Sequence, residues 1–275
     1  MRRAFALLIG GTLVSAAAAF SAQGQGAPPA KVTLTRLHCG ETKGPAPIAA
    51  FSDTRAYDGV NKRLVSSCYL IRHGDDVMLW DTGYPAGGTA TISVPQSIVD
   101  QLRTLGIDAA KVSRVGVSHY HSDHTGQLKD FPGATLLTGA GDWAALTSTP
   151  PAQGANPAPY AHWISGGGKV EQVRGDRDVF GDGTVVLIDT PGHTPGHHSL
   201  LVKLSKASYL LSGDLVHFNE NYATNGVPTF NTNRADTLAS LDRFKTMAKN
   251  LKATVIIQHE PADVAKLPKF PAAAE

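Results

Sequence analysis

The 275 residues carry 42% hydrophobic and 17% charged side chains, the balance of a folded globular chain with ample core for one large domain or two small ones. That balance excludes a disordered or fibrous protein. The 25 Lys+Arg nearly match the 23 Asp+Glu, which argues against nucleic acid and against a polybasic membrane anchor, since both need a basic surface.

The chain opens with Arg2-Arg3, an apolar run from Ala4 to Val14 and a small-residue stretch from Ser15 to Ala22, the three regions of an export signal. The apolar part is too short to span a bilayer, and no later run is long enough either. Arg2-Arg3-Ala4-Phe5 also resembles the twin-arginine export motif. Residues 1–22 are therefore set apart as a signal peptide, cut within several residues of that boundary, and the mature protein is expected in the periplasm or outside the cell. Removing Arg2 and Arg3 from the 25 basic residues leaves 23, equal to the 23 acidic ones. Residues 23–30, polar and rich in Pro and Gly, read as a disordered lead-in, and residues 31–275 as one domain. Cys39 and Cys68 could pair in an oxidising compartment. Each sits in or beside a strand-like segment, however, and the favoured reading is two buried small hydrophobes.

Alternation predicts a first strand over 32–37, a loop over 41–61, and a hairpin of strands 67–73 and 77–80 turning at Gly74-Asp75-Asp76. Asp81-Thr82-Gly83 follows, with Asp81 read as a turn cap. Apolar residues at helical spacing predict a helix over 97–105, leading into a buried strand over 112–117. Strand, helix, strand is α/β grammar. A short helix over 124–128, a strand over 134–137 and a helix over 143–146 come next. The Pro/Ala/Gly/Asn-rich loop 147–159 is long enough to be a binding loop, with Tyr160, His162 and Trp163 at its end as a candidate wall. Strands over 169–173, 184–188, 199–204, 208–211 and 254–257, and a helix over 234–251, complete the pattern.

One stretch dominates the chemistry. Ser118-His119-Tyr120-His121-Ser122-Asp123-His124 places three imidazoles and a carboxylate directly after a strand. Neither a regular strand nor a helix turns all four inward, so the backbone must bend around something small and positive. Imidazole with carboxylate suits zinc or a similar borderline cation. His193 sits between two Pro-Gly turns, Asp214 follows Gly213 at the end of a strand, and His259 follows another. Strand C-terminal edges of one sheet layer share a rim, so His119, His193, Asp214 and His259 are expected to converge.

These residues resemble the metallo-β-lactamase superfamily, whose HxHxDH loop is matched by His119, His121, Asp123 and His124, with later ligands matching His193, Asp214 and His259 in order. The resemblance implies an α/β fold, a four-layer αββα sandwich with two divalent metal ions, zinc foremost, on one edge. By the same resemblance His119, His121 and His193 hold one metal, Asp123, His124 and His259 the other, and Asp214 bridges them. Within the superfamily, Ser67-Cys68-Tyr69-Leu70, Asp81-Thr82-Gly83, and Glu220-Asn221-Tyr222 followed by Val227-Pro228 resemble N-acyl homoserine lactonases. This implies a small-molecule substrate, an acylated lactone, whose carbonyl is attacked by a hydroxide shared between the metals. Asp123 would then shuttle a proton to the leaving alkoxide. Three residues after the bridging aspartate the better-known lactonases carry a tyrosine that helps the substrate carbonyl, and here that residue is His217, which can also donate a hydrogen bond. Tyr84, Trp143, Tyr160, Trp163, Phe218, Tyr222 and Phe230 are candidates for an apolar acyl groove. An exported β-lactamase or another esterase of this fold fits the same loop, although Asp214 counts against the β-lactamase. A hydroxyacylglutathione hydrolase would need a C-terminal extension. A metal-binding protein without catalysis would need no apolar groove.

Overall fold

The structure is a computed structural model that describes Met1 and residues 30–275, so the expected signal peptide and lead-in fall, Met1 and Ala30 apart, outside the described residues. Strands from the first half of the domain form a seven-stranded sheet. Its spatial order is Ile92–Ser93, Val32–Thr42, Val65–His73, Asp76–Trp80, Val112–Gly116, Thr135–Gly139 and Val170–Val173. The second half forms a five-stranded sheet, ordered Arg177–Asp178, Val185–Asp189, His198–Lys203, Ser208–Leu211 and Thr254–Ile256. Each sheet mixes hairpins with parallel pairs, and the parallel pairs are the ones separated in sequence by crossover segments.

Alternation along the strands builds the layers. In Val65–His73, Tyr69 and Ile71 face the second sheet, while Cys68 and Leu70 face away from it. Trp80, Met78, Leu200, Val202, Leu211 and Ile256 join Tyr69 and Ile71 to fill the space between the sheets. On the outer face of the first sheet, Ile98 and Leu102 of helix Ile98–Thr104 and Ala145 and Leu146 of helix Ala140–Thr147 cover Leu70, Leu79 and Val115. On the outer face of the second, Leu241, Phe244 and Ala248 of helix Arg234–Leu251 cover Leu201 and Leu210. Burying one such leucine contributes roughly 1.5–3 kcal/mol, so two helix-covered faces and one sheet-to-sheet interface hold the site rigidly. The result is the expected four-layer αββα sandwich.

Three expectations need correction. The ligand-bearing strands do not share one sheet: His119 follows Val112–Gly116 of the first, whereas His193, Asp214 and His259 follow strands of the second. The rim is formed by two sheet edges meeting, which is why the site lies at the open end of the sandwich. Next, Cys39 and Cys68 form a disulfide, with Cα atoms 5.8 Å apart. They lie on antiparallel neighbours in offset register, Leu37 being the residue opposite Cys68. That offset leaves their side chains on the same outer face within bonding reach. Third, the predicted loop 41–61 starts inside the first strand. It carries a two-stranded ribbon, Ala46–Pro47 with Asn61–Lys62, and a 3₁₀ turn, Ala49–Phe51. Other differences are small. The helix expected over 124–128 begins earlier, at Ser122, and runs to Thr125. Short helices Asn219–Thr224 and Pro261–Val264 lack the periodic stripe that betrays a longer one. Among the described residues no helix is long and apolar enough to cross a membrane.

Candidate metal centre

After Gly116 the chain leaves the sheet, and His121 stands at the N-cap position of the short helix Ser122–Thr125. That single turn brings Asp123 and His124 back toward His119 and His121, the bend that the side-chain pattern requires. Asp81, at the end of the neighbouring strand, has a left-handed φ of 58°. This turns its buried carboxylate inward to accept from Ser118 N–H at 2.7 Å and Ser118 Oγ at 3.0 Å. The opposite wall needs Gly213. Its φ is +54°, and a Cβ there would stand 2.7 Å from His197 Nε2.

Two groups of donors result. His119 Nε2, His121 Nδ1, His193 Nε2 and an Asp214 oxygen form one, with His121 Nδ1 2.9 Å from His119 Nε2 and 3.1 Å from His193 Nε2. Asp214 Oδ2 lies 3.6 Å from His119 Nε2 and 3.5 Å from His193 Nε2. Asp123, His124, Asp214 and His259 form the other. There Asp214 Oδ1 lies 3.1 Å from His124 Nε2 and 2.9 Å from His259 Nε2, while Asp123 Oδ2 lies 3.7 and 3.5 Å from the same nitrogens. Asp214 therefore turns one oxygen to each group, the arrangement of a bridging ligand.

The charges fit cations. Burial, reinforced by neighbouring imidazoles, holds His119 and His193 well below the usual histidine pKa, and burial also lowers His121. At neutral pH these rings carry lone pairs, not charge. For His124 and His259 burial opposes protonation, but the Asp214 carboxylate and its neighbours outweigh it and raise both. Asp214 is itself held well below the carboxylate range against burial, chiefly by His259 and His124. The Asp214 carboxylate thus favours positive charge on this side of the site, as a cation site requires. His124 Nε2 is buried and makes no well-aligned hydrogen bond, its nearest acceptor being Asp214 Oδ1 at 3.1 Å, as suits a ring nitrogen facing a cation. An N₃O set beside an N₂O₂ set matches borderline divalent ions.

Around the ligands stands an orienting layer that sequence reasoning read only in part. Asp81 Oδ2 accepts from His124 Nδ1 at 2.9 Å and from Gln258 Nε2 at 3.0 Å, so the residue expected to cap a turn also aims a ligand. His259 Nδ1 donates to Val65 O at 2.8 Å. His197 accepts the Asp214 backbone N–H on Nε2 at 3.0 Å and donates from Nδ1 to Thr190 O at 3.0 Å. Asp142, buried, accepts from Gly196 N–H at 2.7 Å and Thr194 Oγ1 at 2.9 Å, tying the His193 loop to helix Ala140–Thr147. Nothing local marks Gln258, His197 or Asp142, because their partners are distant in sequence.

Above the donors lies a cavity of about 170 Å³, whose walls include Phe51, Leu64, Val65, Tyr84, Ile92 and Phe230 over Asp123, Asp214, His217 and His259. His217 lines it, with Nε2 3.1 Å from Asp214 Oδ2 and its ring stacked on that of His259. Of the candidate groove residues, Tyr84 and Phe230 are present and the others are not. Trp163 is buried in the outer core with its indole N–H donating to Ala134 O, and Tyr160 and Trp143 pack into that same core. Phe218 is buried beneath the wall against Phe51 and Tyr57, and Tyr222 packs on Phe244 under Lys245. Their aromatic character is used for packing because each lies on the inward face of its segment. Phe51, on the segment expected to be plain loop, takes their place, 4.9 Å from the His217 ring.

A family model described as the metallo-beta-lactamase superfamily matches residues 61–259. The N-acyl homoserine lactonase AttM of Rhizobium radiobacter is 34% identical over 194 residues, covering 64% of this chain and 69% of that protein. AttM of Rhizobium johnstonii is 29% identical over 245 residues, 78% of this chain and 89% of that one. Among solved structures, a quorum-quenching N-acyl homoserine lactone lactonase superposes with a TM-score of 0.75 at 24% identity, covering 90% of this chain and 99% of that one. AidC, a dizinc quorum-quenching lactonase, superposes with a TM-score of 0.66 at 16% identity over 90% and 91%.

Proposed function

The chain belongs to the metallo-β-lactamase superfamily, and from that premise we propose that it is a metal-dependent hydrolase that opens the lactone ring of N-acyl homoserine lactones. The observation that carries this reading is the pair of donor sets sharing the two oxygens of Asp214 at the floor of a small apolar cavity. The AttM relatives, by their names lactonases, support the substrate class.

His119, His121 and His193 would hold one divalent ion, Asp123, His124 and His259 the second, and Asp214 both, with zinc favoured by the nitrogen-rich sets. Bound there, such ions supply Lewis acidity toward a carbonyl oxygen and lower the pKa of water. The chain's own residues do the rest. Phe51, Val65 and Phe230 exclude water from one side of the ring. His217 donates from Nε2 to Asp214 Oδ2 at 3.1 Å, and would turn that N–H toward the oxygen on which charge develops. Asp123, whose Oδ2 faces the second donor set, would take a proton from the attacking water on its other oxygen and deliver it to the leaving alkoxide, which departs as the alcohol. Export to the periplasm or beyond is part of the proposal, supported by the signal-like N-terminus and by the Cys39–Cys68 bond.

The test is hydrolysis of an N-acyl homoserine lactone beside simple esters and a β-lactam. His121→Ala and Asp123→Asn should each lower lactone turnover at least ~100-fold, given that losing only the hydrogen-bond support of a metal ligand already costs up to that much. Their melting temperatures in the metal-free state should stay near wild type. Unchanged turnover would sink the site, and turnover of β-lactams in place of lactones would redirect the substrate.

A further inference from the structure

The irregular register of the first strand leaves Cys39 outside the ladder. His38 stands opposite Ser67 and Glu41 opposite Val65, so Cys39 and Gly40 together face Ser66 alone. The Cys39 carbonyl is then available to the turn after Asp81, and accepts the Tyr84 N–H at 3.0 Å. That turn lies directly on the cysteine: Gly83 has a φ of +59°, and a Cβ there would collide with the Cys39 Cβ. From the turn the bonds run on into the ligand loop, where Thr82 N–H donates to His124 O at 2.7 Å and Gly83 O accepts from Gly126 N–H at 2.6 Å. Cys68 meets the same gap from the other strand. Just before it, Val65 O accepts from His259 Nδ1 at 2.8 Å, Ser66 Oγ donates to Asp123 O at 3.0 Å, and Ser67 O accepts from Gln258 Nε2 at 2.6 Å. Asp123, His124 and His259 are the members of the second donor set besides the shared Asp214. Among the described residues, no hydrogen bond of His119, His121 or His193 reaches Val65 to Cys68 or Thr82 to Tyr84. Within the turn only Asp81 touches both sides, through His124 and through Ser118.

We propose that the Cys39–Cys68 bond is a positioning element for the second metal ion, a covalent link placed where the ladder fails and fixing the two segments that aim Asp123, His124 and His259. The proposal rests on the two-ion reading above. Ligands must be held within about 0.5 Å of their working geometry, and strands parted at the bulge would exceed that in one set while sparing the other.

The experiment measures zinc affinity, so that it does not depend on turnover. Metal-free protein is titrated with zinc against a chromophoric chelator in two backgrounds: His121→Ala, which leaves the second set to be read alone, and His259→Ala, which leaves the first. Adding Cys39→Ala and Cys68→Ala should weaken zinc binding roughly 10–100-fold in the His121→Ala protein, the usual cost of losing ligand support, and less than about threefold in the His259→Ala protein. Cys39→Ala with Cys68→Val, which keeps more of the buried volume, takes the place of the double alanine if that chain does not fold. Leu241→Ala, in the helix that covers the second sheet, lowers stability without touching either set and should leave both affinities unchanged. Equal losses in the two backgrounds, no loss in either, or a Leu241→Ala loss as large as that of the cysteine variant would overturn the proposal. Wild type that binds fewer than two zinc ions in the same titration would fail the two-ion reading, and this inference with it.

Discussion

Asp81 shows how one side chain serves two ends. Its left-handed backbone closes the turn after a strand, and its carboxylate holds both Ser118 and the Nδ1 edge of His124. An Asp at a strand end reads as a cap because capping needs only local partners, while the link to His124 spans 43 residues. Asp81→Ala should therefore lower affinity for the metal held by His124 roughly 10–100-fold, the usual cost of removing such a support. Competition against a chromophoric chelator measures it, and affinity within twofold of wild type would reduce Asp81 to a turn cap. His119, His121, Asp123 and His124 were legible for the opposite reason. Four ligand-type residues within six positions cannot be explained by one regular element. Trp163 and Tyr222 were misread because the sequence names an aromatic residue without naming the face it occupies.

At the scale of elements, the His193 loop and helix Ala140–Thr147 are joined by Asp142. Burial raises the Asp142 pKa to about 7. Its folded value thus exceeds the unfolded one of about 3.9, and the folded chain binds the extra proton between the two. Stability from this group is full below the unfolded value and declines as pH rises toward 7. Asp142→Asn should flatten the fall in melting temperature of the metal-loaded protein between about pH 5 and pH 7. A parallel decline in variant and wild type would remove Asp142 from the account. The disulfide ties two strands at a sequence separation of 29 residues, under the Asp81–Gly83 turn. Loop closure predicts a loss of about 3–4 kcal/mol when Cys39 and Cys68 are both replaced by Ala, read from denaturant midpoints. Pairing was not legible because strand register decides whether two cysteines meet, and the 38–41 irregularity that sets it is invisible in composition. Strand ends bearing His or Asp were legible. That they belong to two sheets was not, since convergence on a rim is the same signal in either case.

Over the whole molecule, the two sheets bring opposite halves of the chain to one edge. His119 to His124 come from the first half, and His193, Asp214 and His259 from the second, with Asp214 at the seam shared by both donor groups. Metal binding should therefore stabilise the sandwich as a unit. A chelator should lower the melting temperature, and excess zinc should restore it. The layered fold was legible from alternating strands and amphipathic helices, while the cavity above the donors was not, because its walls come from nine separate segments. The most direct measurement is a titration of metal-free protein with zinc while acid release from an N-acyl homoserine lactone is followed at neutral pH. If Asp214 joins two working sites, release rises with added zinc, levels off near two equivalents per chain and stops when a chelator is added. A plateau at one equivalent, or no acid released from protein shown to hold two, would contradict a two-metal lactonase.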